Sequence, residues 1–66
     1  MNKAEIKRQL KIAGVKQKQI AEKCGVTPQF VNQVVSGKRT TISVVAAIAD
    51  AIGRPVAEVF PDQESL

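Results

Sequence analysis

The side chains best suited to chemistry are amides grouped on one short segment: Gln29, Asn32 and Gln33, with Ser36 one turn further on. A carboxamide both donates and accepts, so each can meet a base edge that pairs an acceptor with a donor, or a phosphate oxygen. Elsewhere the chain has little reactive equipment. It has no histidine and one cysteine, Cys24, and its six carboxylates are scattered without a partner at useful spacing. General acid–base work needs paired titratable groups, and a metal site needs clustered ligands. The residues therefore point to a non-enzymatic binding protein with no metal, cofactor or small-molecule ligand.

Two short helices and a tight turn must position the amides. In residues 17–36, Ile20, Val26, Val31 and Val34 are apolar where two helices share a core, and Ala21 is small where they cross. Gly25 stands where the first helix ends, a position that often needs a left-handed backbone. Thr27 supplies an N-cap, and Pro28 a first-turn residue with φ already set. Gln29, Asn32, Gln33 and Ser36 are left facing outward, the arrangement of a helix-turn-helix that presents polar groups to DNA.

The remaining chain reads as helices over about 3–13, 42–52 and 55–60, beside 17–24 and 28–35. Asn2 and Glu5 form a capping pair for the first; Lys16 is a poor N-cap for the second, whose start is expected to depend on tertiary contact; Thr41 caps the fourth. Ile6, Leu10 and Ala13 give the first an inward stripe, and Ile42, Val45, Ile48, Ala49 and Ile52 give one to the fourth. Cys24 lies on the inward stripe of the second helix as a small core residue. The fold class is all-α, one five-helix domain over 1–61 with a polar tail at 62–66. With 66 residues, margins are small, and local helical contacts are the economical way to build a core.

Charge is unevenly divided. Residues 1–39 hold nine basic residues against Glu5 and Glu22, a net +7, whereas residues 40–66 set Arg54 against four acidic residues, a net −3. The basic half contains the helix-turn-helix, as a polyanionic partner requires. The lone cysteine fits a reducing compartment. No apolar run approaches the roughly 20 residues that span a bilayer, and no signal peptide is evident. A cytoplasmic location with no membrane partner is expected.

Gln17, Ile20-Ala21-Glu22-Lys23, Gly25-Val26-Thr27, Gln29, Val31, Gln33 and Ser36-Gly37-Lys38 together resemble the Cro/C1-type, or XRE, lambda-repressor-like helix-turn-helix family, over about Ile6 to Phe60. The resemblance implies a compact five-helix bundle whose third helix lies in the major groove. It makes Gln29, Asn32 and Gln33 the base readers, with Pro28 placed to touch a thymine methyl. It gives Gln17 a phosphate contact; the glutamine that Gln17 would brace in the family is replaced here by Pro28. The Ser36-Gly37-Lys38 segment is similar to one that offers backbone N–H groups and a lysine to the sugar-phosphate chain. Arg39, Lys16 and Lys18 join it as expected phosphate contacts.

Helix 4 is more apolar than one core stripe needs: Val44, Ala47 and Ala51, extended by Val56 and Val59, are expected to form a second face. In the resembled family this region makes a two-fold dimer contact. The expected function is a Cro-like phage or prophage repressor that binds a pseudo-palindromic operator as a homodimer. An antitoxin and an excisionase-like recombination directionality factor are the competing readings on the same scaffold. No ligand-sensing or self-cleaving domain is evident, so control by protein level is expected.

Overall fold

Helix α1 spans Lys3–Ala13, α2 Gln17–Cys24, α3 Pro28–Val35, α4 Ile42–Ile52 and α5 Val56–Val59, in a computed structural model that describes residues 1–61. The expected tail at 62–66 lies outside the described residues. The first four helices keep the boundaries expected from capping and periodicity. The fifth is shorter, because Phe60 leaves the helical region at φ −130°, ψ 73°. Phe60 precedes Pro61, and a residue before proline is pushed out of the α conformation.

Local chemistry sets the helix starts. Asn2 Oδ1 accepts from the Glu5 N–H at 2.8 Å and opens α1. At α2 the start is held locally rather than by tertiary contact alone: the Gln19 side chain reaches back to accept from the Lys16 N–H at 2.9 Å. That is the N3 half of a capping box, supplied without a capping side chain at Lys16. Thr41 occupies the N-cap position of α4 but makes no side-chain cap bond.

Twelve buried apolar residues form one core, drawn from all five helices and including Ile6, Leu10, Ile20, Val31, Val34 and Ile48. Helix α2 packs most extensively on α3 and next on α4, while α1 and α5 close against α4. The N-terminal ammonium donates to the Glu58 and Val59 carbonyls, both at 3.1 Å, and so ties the chain start to α5. No buried polar or charged side chain is present among the described residues. Packing of aliphatic side chains therefore carries the fold, and the polar residues remain at the surface.

Helix α4 departs from its expected stripe. Ile42 is 83% exposed, whereas Val44 is fully buried beside Val45, Ile48 and Ala49. The inward stripe runs i, i+1, i+4, i+5, a rotation of roughly a third of a residue step from the expected one. The cause is packing: α4 touches α1, α2, α3 and α5, so its covered arc is wide, while its first turn at Ile42 has nothing over it. Val44 and Val59, expected on a dimer face, are core residues with no surface to offer. Ala47 and Ala51 are half-buried and line a shallow groove against Val15, Gln19 and Ile20 of the α1–α2 region, and Val56 is half-buried on α5. Ala13, expected inward on α1, is exposed, and Cys24 is half-buried.

Candidate nucleic-acid interface

The turn between α2 and α3 takes three residues. Gly25 is left-handed at φ 70°, and Val26 N–H bonds back to the Ala21 carbonyl at 2.9 Å, closing α2 with a Schellman turn. Thr27 Oγ1 then accepts from the Phe30 N–H at 3.1 Å, and Pro28 begins α3. Val26 and Val31 stand at the N′ and N4 positions of a hydrophobic staple; Val31 belongs to the core cluster and Val26 packs against it. The entry angle of α3 is thus set by a glycine, a cap and an apolar clasp within seven residues, 25–31.

On an ideal helix, advancing about 100° per residue, Pro28, Gln29, Asn32, Gln33 and Ser36 fall within one arc of roughly 140°. Val31, Val34 and Val35 face the core. Pro28, Gln29 and Asn32 are exposed, while Gln33 and Ser36 are half-buried. Four of these five side chains are therefore polar hydrogen-bonding groups on the face of α3 away from its core residues.

Past α3 the chain turns at Gly37, φ 81°, with Lys38 N–H bonded to the Gln33 carbonyl at 2.9 Å and Gly37 N–H to the Val34 carbonyl at 3.1 Å. Ser36 N–H is likewise spent on the Asn32 carbonyl at 2.9 Å. The backbone donors of Ser36, Gly37 and Lys38, expected to face phosphate, are consumed in closing the helix. Gly37 has no other donor, and its part is to turn the chain. The Ser36 hydroxyl and the exposed Lys38 ammonium remain on this segment.

Arg39 is engaged in a way that spacing alone does not reveal. Its Nε donates to Gln33 Oε1, and its guanidinium carbon lies 5.0 Å from the centroid of the Phe30 ring. Phe30 is half-buried, with its ring both packed on the core and under this cation. The only sequence signal was a phenylalanine three residues before a glutamine, with an arginine two residues past a turn glycine. That signal means nothing until the Schellman turn folds the arginine back.

At the other end of the motif, Lys16 and Lys18 are exposed and Gln17 is half-buried at the start of α2. Two ion pairs occur among the described residues, Lys23–Asp50 at 3.8 Å and Arg54–Glu58 at 3.0 Å. Neither draws on Lys16, Lys18, Lys38 or Arg39. The cations that flank the polar face of α3 thus keep their charge available to an external anion.

No curated protein and no solved structure matches the chain. A helix-turn-helix family profile matches residues 6–59, from the buried Ile6 of α1 to the buried Val59 of α5. The match takes in α2, the glycine turn and α3, and the chain belongs to the Cro/C1-type helix-turn-helix family, whose members are DNA-binding regulators.

Proposed function

We infer that the protein is a sequence-specific transcriptional repressor of Cro-like type, whose α3 lies in the major groove of an operator. The observation that carries this reading is the face of α3. Gln29, Asn32 and Gln33 line it, free of ion pairs, between cations at both ends of the motif. Amide side chains supply base readout, and the cations supply the salt-dependent affinity that fixes register on the duplex. Gln29, Asn32 and Gln33 are the readers, with Pro28 against a thymine methyl. Gln17, Lys16, Lys18, Ser36 and Lys38 hold phosphates. The Gln17 and Lys18 N–H groups at the start of α2 add to that grip, whereas the Gln19 N–H is spent on the Lys16 carbonyl at 3.0 Å. Occluding a promoter requires only that the bound protein cover it, and no catalytic step enters.

Two substitutions separate the roles. Gln33→Ala is expected to cost about 1–3 kcal/mol on the operator and to relax preference at one base pair, with little change on random duplex. Lys38→Ala is expected to weaken every duplex alike and to reduce the slope of log K against log salt by about 1. Anisotropy titrations with operator and scrambled duplex over a salt series read both. Equal behaviour of the two variants would overturn the division into readers and phosphate contacts.

A further inference from the structure

Arg39 lies six positions beyond Gln33, yet the turn at Gly37 brings its guanidinium over the Phe30 ring and its Nε onto the Gln33 amide oxygen. Phe30 and Gln33 are i, i+3 neighbours on α3, so one guanidinium is held by a ring face and an amide from adjacent turns. An arginine Nε–H can only donate, so the amide atom turned toward it must be the oxygen. Chemistry thereby fixes which way the Gln33 amide points.

We propose that Arg39 sets the base preference of Gln33, directing it to guanine in place of adenine. The proposal rests on the reading of α3 as the groove element. A free glutamine amide presents oxygen and NH₂ together and matches the N6 donor and N7 acceptor of adenine. With Oε1 turned to Arg39, the group left for a base is the Nε2 donor. Guanine offers that donor two acceptors in the major groove, N7 and O6, whereas adenine offers N7 alone beside an N6 amino group that cannot accept. The exposed guanidinium strengthens the choice, because it adds positive charge and further N–H donors next to the amide. In this role Arg39 is a positioning residue acting through Gln33.

Selection from randomised duplexes, with sequencing of the bound fraction, tests this on the wild-type chain and on Gln33→Ala, Arg39→Ala and Arg39→Lys. The wild type is expected to enrich guanine over adenine by about tenfold at one position, and Gln33→Ala to lose that preference. Arg39→Ala is expected to keep a Gln33-dependent preference there but to move it to adenine. Arg39→Lys, which keeps the charge without the planar fork, is expected to move it likewise. Arg39→Ala should also shift the Gln33 side-chain amide signals in the NMR spectrum of the free protein. Adenine at that position in the wild type, an unchanged guanine in Arg39→Ala, or unmoved amide signals would each overturn the proposal. Failure of the groove reading looks different: no sequence would be enriched, or enrichment would survive both Gln33→Ala and Asn32→Ala.

Discussion

Gly25 shows how one residue converts two helices into a motif. Its φ of 70° lets Val26 N–H reach the Ala21 carbonyl and sends Thr27 directly into the cap of α3. A Cβ at this position would meet no atom within 4 Å, so alanine there is penalised by backbone conformation and not by a clash. Gly25→Ala should therefore cost about 1–2 kcal/mol, the penalty of a left-handed L-residue, with the shift read as a lower midpoint in urea at unchanged slope. A loss much below that would mean the turn relaxes to another geometry. The need for glycine here was legible in the sequence, because Gly25 falls between an apolar-periodic segment and a Thr-Pro start signal. The Arg39–Gln33 bond was not. It depends on a through-space return across Gly37, and no periodicity encodes which side chain that turn brings home.

At the scale of the helices, caps and stops carried most of the information. Asn2 with Glu5, Thr27 with Pro28, and the glycines after each of the first four helices mark ends that the structure reproduces. The rotation of α4 was hidden for a physical reason. Ile42, Val44, Val45, Ala46, Ala47 and Ile48 are all apolar, so hydrophobicity cannot say which arc is covered; the neighbours α1, α2, α3 and α5 decide it. Two substitutions on this helix should then behave oppositely. Ile48→Ala removes a fully buried side chain and should cost about 2–5 kcal/mol. That is a large share of the roughly 3–10 kcal/mol available to 66 residues. Ile42→Ala, at a site 83% exposed, should change stability by less than about 0.5 kcal/mol. Chemical denaturation of both variants checks the assignment; comparable losses would restore Ile42 to the core.

The described residues extend over 27 × 22 × 17 Å, and this size bears on how the protein would assemble on DNA. Two recognition helices that read successive major grooves on one face of a duplex lie about 34 Å apart, so each must sit about 17 Å from a two-fold axis. A protomer of these dimensions meets that requirement if the contact lies on the side away from α3. With Val44 and Val59 committed to the core, the members of the expected dimer face that keep some surface are Ala47, Ala51 and Val56, each half-buried. On the dimeric reading, a patch this small predicts a weak dimer that forms on the operator, where the duplex supplies high effective concentration. Ala51→Glu puts a charge into this patch while keeping a good helix former. It is expected to leave the single-protomer fold intact by circular dichroism, and to abolish cooperative binding to a two-half-site duplex while sparing affinity for one half-site. Sedimentation of the wild-type chain with that duplex should give two protomers per DNA. One protomer per duplex at saturation would remove the dimer from this account while leaving the reading of α3 in place.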